Sequence, residues 1–233
     1  MGNKAPYSEE RDHMFFKAGS PNIKSLLTKK LQANDIVCEK FYLGCGTALA
    51  LQLGHRRSED IDFFSESEFR NEEIINFILK LGGSIDSESK GTLLGSIGGS
   101  KISFFHYTYP LVSDALCIGR IKIASVDDIA ARKVIAIAQR SEKKDFFDMY
   151  EILKVYSPAK VKELLMQKYG EKRVNCYHTL KSFFYFTEAE KSPDPVSLNR
   201  TTWKQVKQFF VKNERRLTSE LCEIHDNTLK PSV

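Results

Sequence analysis

The chain has little of what a secreted or membrane-spanning protein needs. Its 233 residues hold five cysteines, Cys38, Cys45, Cys117, Cys176 and Cys222, scattered and without a C-x-x-C pair. That spacing argues against a disulfide framework or a cysteine-rich zinc site, and for a reducing compartment. No apolar run approaches the roughly 18–20 residues of a membrane span. The opening residues, Met1 to Asp12, carry no apolar signal core, and Pro6 stands where N-myristoylation after Gly2 would want Ser or Thr. A cytoplasmic protein with no membrane partner is expected. His55 and His106 could act as bases, but the five histidines are scattered and no Gly-x-Ser-x-Gly elbow accompanies them. Repeats and low-complexity segments are also absent. A net charge of +5 permits contact with a polyanion without announcing one. Hydrophobic and charged contents of 42% and 28% are ordinary for a globular protein.

Residues 8–33 read as helical with a break at Gly19-Ser20-Pro21, and Ile23, Leu26, Leu27 and Leu31 recur at helical spacing. Phe41-Tyr42-Leu43 is a short strand, Thr47 to Leu53 a helix stopped by Gly54, Asp60 to Phe64 a strand, and 70–81 a helix. Two strands at 91–97 and 101–107 flank a Gly98-Gly99-Ser100 turn. Ile121 to Ile123 leads to Ser125, with Asp128 in a capping-box position. Helix follows to about residue 155, broken near Ser141. Past Pro158 only helices are expected, at 158–169, 174–188 and 201–225. This order gives an α/β (α+β) core with its N-terminal helices over residues 1–155, and a helical C-terminal domain over 156–233.

Asp60 and Asp62, two apart on one strand, share a face. Two carboxylates about 4 Å apart repel by about 4 kcal/mol at an effective dielectric near 20. A cation between them, a shared proton or good hydration must offset that. Mg²⁺ takes one or two carboxylates and completes its shell with water and substrate phosphate. Gly46 lets backbone approach a phosphate, the Thr47 hydroxyl can donate to it, and Arg56 and Ser58 add charge and a hydroxyl ahead of Asp60. Phe63 and Phe64 take the strand into a core, with the acids at its mouth. On the almost wholly apolar helix 126–139, Lys133 must snorkel to water or meet an anion. Asp145 and Asp148 share a helical face, as exposed acids or as partners for Arg140. Past residue 160, basic residues including Lys168, Lys172, Arg173, Lys204, Lys207 and Lys212 interleave with aromatics. They read either as an RNA surface or as amphipathic helices with Trp203, Val206, Phe209 and Phe210 inward.

The joint pattern is Cys45-Gly46-Thr47, His55 to Phe64, Lys133 to Ala136, Gln139-Arg140 and Lys143 to Tyr150. Over roughly residues 40–155 it resembles the AbiEii/AbiGii-type nucleotidyltransferase toxin family. The resemblance implies a polymerase-β-like nucleotidyltransferase fold, a small mixed sheet flanked by helices, using Mg²⁺ and a nucleoside triphosphate. Such proteins are typically toxins of toxin–antitoxin or phage-defence pairs and some modify tRNA. A tRNA or protein acceptor and an antitoxin are therefore the implied partners. By position, Asp60 and Asp62 would hold metal, and Gly46 and Thr47 would touch the triphosphate. Arg56, Ser58 and Arg140 would bind nucleotide, Lys133 would neutralise the triphosphate, and Asp145 would be a further essential acid, as metal ligand or base.

The chain departs from that pattern twice. Cys45 replaces the first glycine of the usual pair. Ser103 or Phe105 stands where the wider superfamily places a third carboxylate. Either Asp145 completes the metal shell, or one metal binds, or catalysis is weak, down to a nucleotide- or protein-binding module without turnover. Small-molecule nucleotidylation would instead require an acidic acceptor pocket.

Overall fold

A computed structural model of the chain describes residues 18–170 and 176–221. The expected helix from residue 8 lies outside the described residues as far as position 17. Beyond that it is not one helix. α1 (Pro21–Ser25) begins as expected, the Ser20 hydroxyl accepting from the Ile23 N–H and Pro21 in the first turn. The chain then widens into a π turn, Leu26–Lys30, and tightens into a 3₁₀ turn, Leu31–Ala33. Leu26 and Leu27 are adjacent and both buried, and the wide turn lets both face the core. α2 (Asp35–Lys40), β1 (Tyr42–Leu43) and α3 (Cys45–Leu53) follow, α3 ending on Gly54 at φ 62°. β2 (Ile61–Ser65) and α4 (Asn71–Lys80) fall where the sequence pattern puts them.

Five further strands are β3 (Ser84–Ser89), β4 (Thr92–Ile97), β5 (Ser100–His106), β6 (Leu116–Ile118) and β7 (Ile121–Ile123). β3 and β6 were not expected. β3 reads Ser-Ile-Asp-Ser-Glu-Ser, so its one apolar residue gives no alternation. It is an edge strand, held by the β4 backbone beside it. The sheet runs β3-β4-β5-β2-β1-β7-β6, with β2–β5 and β1–β7 parallel and the remaining pairs antiparallel. On one face Phe63 and Phe104 stack at 5.3 Å under Phe41, all fully buried. The opposite face of β2 and β5 carries Asp62, Phe64, Ser103 and Phe105.

Seven helices complete the described chain: α5 (Val126–Gln139), α6 (Lys143–Val155), α7 (Pro158–Tyr169), α8 (Cys176–Ser182), α9 (Thr187–Lys191), α10 (Trp203–Lys212) and α11 (Glu214–Leu221). Each of the last two expected helices is split. One turns at Phe183 to Phe186, the other at Asn213, whose amide donates to the Phe209 carbonyl. Phe146 of α6 explains why the chain folds back. The rings of Phe186, Trp203 and Phe210 lie 5.3, 5.7 and 5.4 Å from it. The inward reading of Trp203, Val206 and Phe210 therefore holds, and one apolar cluster runs from Ile23 to Leu221. Lys168 is no surface base: its ammonium is buried on Asp128 at 2.9 Å. Lys172 and Arg173 lie outside the described residues. Among the described residues no helix is long and apolar enough to cross a membrane.

Candidate active site

The glycine turn is fastened to the acid strand. The Gly44 N–H donates to the Asp62 carbonyl at 2.9 Å. Thr47 is buried, and its hydroxyl donates to the Asp60 carbonyl and lies 2.8 Å from the Ser58 hydroxyl. Its one donor is thus engaged in holding Asp60 rather than turned toward a ligand. Cys45 sits at φ 59°, in the left-handed region, at a strain of about 1–2 kcal/mol for a residue with a Cβ. The glycine of the usual pair would adopt that conformation freely. A Cβ on Gly44 would stand 2.7 Å from the Phe64 ring and 2.8 Å from Nη1 of Arg132, and one on Gly46 would strike the Arg56 guanidinium. The close approach of two arginines, more than a phosphate cradle alone, dictates these two glycines.

Asp60 is exposed at the strand mouth and Asp62 is partly buried beyond it. Parallel pairing sets Ser103 directly beside Asp62, and the Ser103 hydroxyl donates to the carboxylate. Ser103 thus fills the slot where a third acid was expected, and Phe105 stacks on Phe64 instead. Burial, then the neighbouring Asp60, raises the Asp62 carboxyl above its ordinary value, against the pull of Ser103, Arg132 and Arg140. Among the described residues no three His, Cys, Asp or Glu side chains converge on a protein-only metal cage. Two oxygen ligands, one of them electrostatically strained as an anion, fit Mg²⁺, which keeps water and substrate oxygens for most of its shell.

Behind the turn lies a charge cluster that the sequence showed only in part. Lys133 meets anions rather than snorkelling, with its ammonium 2.8 Å from Asp145 and 2.5 Å from Asp148. Arg140 donates to Asp145 through Nε and Nη2 at 2.8 and 2.7 Å. Arg56 grips Asp148 with Nε and Nη2 at 2.6 and 2.9 Å, and His55 Nε2 donates to the same carboxylate at 2.7 Å. Both aspartates are fully buried, so neither is a solvated surface acid. Burial alone would raise both acids, but Arg56, Lys133 and His55 hold Asp148 well below the ordinary carboxylate value, and Lys133 and Arg140 lower Asp145. With Glu142, 3.6 Å from Arg140, and Lys144 on Glu142 included, four cations against three carboxylates leave the cluster net positive.

Two separate cavities are lined by the candidate residues. One, of about 410 Å³, is lined by Cys45, Arg132, Lys133, Gln139, Arg140 and a wall of Tyr107, Tyr109 and Tyr169. The second, of about 260 Å³, is lined by Arg56, Ser58, Asp60 and the Ser192-Pro193-Asp194-Pro195 loop. That loop is pinned by Lys143, whose ammonium lies 2.7 Å from Asp194. The expected nucleotide-binding residues are therefore divided: Lys133 and Arg140 face the first cavity, Arg56 and Ser58 the second. Arg56 is committed to Asp148 and the Arg57 carbonyl. Sequence reasoning passed over Arg132, although a cation beside Lys133 on an apolar helix was a signal of the same kind.

A family model described as "Nucleotidyl transferase AbiEii toxin, Type IV TA system" matches residues 30–115 and 107–223. The chain belongs to this AbiEii nucleotidyltransferase toxin family. It is 36% identical over 182 residues to the uncharacterized protein aq_aa25 of Aquifex aeolicus (strain VF5), covering 75% of this chain and 86% of that one. Among solved structures it is similar to JHP933 from Helicobacter pylori, at 14% identity and a TM-score of 0.46 over 93% of this chain and 95% of that one. It is also similar to MenT4, the nucleotidyltransferase toxin Rv2826c of Mycobacterium tuberculosis H37Rv, at 12% identity and a TM-score of 0.47 over 86% and 81%.

Proposed function

We propose that the protein transfers a nucleoside monophosphate from a nucleoside triphosphate to a hydroxyl of a tRNA or protein acceptor, as a toxin held in check by an antitoxin. The observation that carries this reading is the Asp60–Asp62 pair fastened to the glycine turn, with a net-positive cluster behind it. Asp60 and Asp62 would hold Mg²⁺, which when bound supplies charge neutralisation at the reacting phosphate. Gly46 and the free N–H groups opening α3 face the phosphates, while Lys133 and Arg140 balance the tail from the larger cavity. Asp145, a poor proton acceptor at neutral pH because its pKa is depressed, acts by fixing Lys133 and Arg140 in place. Thr47 and Ser58 hold the Asp60 backbone. Arg56 braces the floor under Gly46, and the acceptor enters on the Asp60 side.

Ser103 in the acid slot favours a second reading, a module that binds nucleotide without turnover. Calorimetry with Mg²⁺ and each triphosphate tests the common part. Both readings expect metal-dependent binding that Asp62→Asn weakens at least tenfold. Equal affinity in the variant overturns the metal role.

A further inference from the structure

We propose that Arg132 docks the polyphosphate tail of the nucleotide in the tyrosine-walled cavity, an inference that rests on the nucleotidyltransferase reading. The cations of the buried charge cluster each have a carboxylate: Lys133 and Arg140 bind Asp145, and Arg56 binds Asp148. Arg132 has none among the described residues. Its Nη1 is buried without a hydrogen-bond partner, while the guanidinium carbon lies 3.6 Å from the Phe64 ring centre and 4.6 Å from that of Tyr107.

A guanidinium stays charged at any working pH, so burying it without a partner is costly unless an anion is its counterpart. The chain makes room for it at the turn. Gly44 lacks the Cβ that would stand 2.8 Å from Nη1, so the fork reaches the start of α3, where uncapped N–H groups also favour negative charge. Arg132 and Lys133 are consecutive on α5 and line one cavity of about 410 Å³, within the range of small-molecule sites. The planar fork suits phosphate oxygens bidentately. A cavity of about 410 Å³ has room for a polyphosphate tail.

The competing role for Arg132 is a purely structural clamp of β2 to α5 through its ring contacts. Wild type, Arg132→Met and Arg132→Lys, all as full chains, separate the two. The probes are Mg-tripolyphosphate, the four Mg-NTPs and AMP, read by calorimetry and by thermal unfolding. A tail-binding arginine predicts tripolyphosphate and NTP affinities about ten- to hundredfold weaker in Arg132→Met, from two lost charge-assisted bonds. AMP affinity should change less than twofold, the ligand-free melting temperature should not fall, and Arg132→Lys should recover part of the loss. Equal tripolyphosphate affinity in wild type and Arg132→Met overturns the proposal and leaves the nucleotidyltransferase reading standing. So does a lowered ligand-free melting temperature with AMP weakened to the same degree, which is the clamp. Wild type binding no NTP overturns the nucleotidyltransferase reading and the proposal with it.

Discussion

Replacing Asp148 by Asn separates the part of the site that builds the fold from the part assigned to chemistry. The substitution keeps the side-chain volume, so no cavity complicates the result. What it removes is the negative charge at the centre of Arg56, His55 and Lys133, on a side chain with 0% exposure. The Arg56 guanidinium is nearly as buried and keeps only the Arg57 carbonyl, while Lys133 keeps Asp145. Breaking one partner of a buried pair costs about 3–5 kcal/mol, because the opposite charge is left uncompensated. For a chain of this size that is about 6–20 °C in melting temperature. Differential scanning calorimetry of Asp148→Asn measures it, with Arg70→Gln as the control. The Arg70–Glu72 pair has side chains 73% exposed on each side and should contribute at most about 1 kcal/mol. Asp148 titrates well below the ordinary carboxylate value when folded, so its contribution is present above the unfolded value of 3.8 and lost as pH falls through the folded one. The difference between wild type and variant must therefore persist at pH 4 and shrink only below it. A variant melting within a degree or two of wild type at pH 7 would refute the structural role of the cluster.

Asp62→Asn should behave in the opposite sense. Asp62 is raised in the folded state, so its charge opposes folding above pH 3.8, and the variant should be more stable than wild type at pH 7 with the gain fading by about pH 3. A loss of stability at neutral pH would contradict the strained-pair assignment. Gly44→Ala should cost about 1–3 kcal/mol in urea unfolding, since the new methyl meets the Phe64 ring and the Arg132 guanidinium. Cys45→Gly should stay within about 1 kcal/mol of wild type, because relief of left-handed strain offsets the added chain entropy. The reverse ranking of these two variants would show that the turn is not packed as described.

Much of this architecture was legible wherever local chemistry decides it. Ser125 caps α5 and Gly54 ends α3 in agreement with the sequence pattern. Asp128 keeps one carboxylate oxygen on the Ser125 hydroxyl at 3.0 Å, while the other takes the Val112 N–H and Lys168, partners 16 and 40 residues away. β3 escaped because its polar residues carry no period, and the described part of the 8–33 helix broke up because two adjacent leucines needed burial. The site followed the same rule. Asp60, Asp62 and the turn stood out as a local pattern. The partnerships of Asp148 with Arg56 and His55 span 92 and 93 residues and no spacing announces them. Arg132 is conspicuous only once its lack of a carboxylate can be seen.

The central claim is that the Asp60–Asp62 pair serves transfer of a nucleotide. Full-length wild type and Asp62→Asn, each confirmed as folded, are incubated with Mg²⁺, the four α-³²P nucleoside triphosphates and total RNA plus protein acceptors. Label fixed to an acceptor by wild type, absent in the variant and abolished by EDTA, is the predicted result. Equal labelling by Asp62→Asn would contradict it.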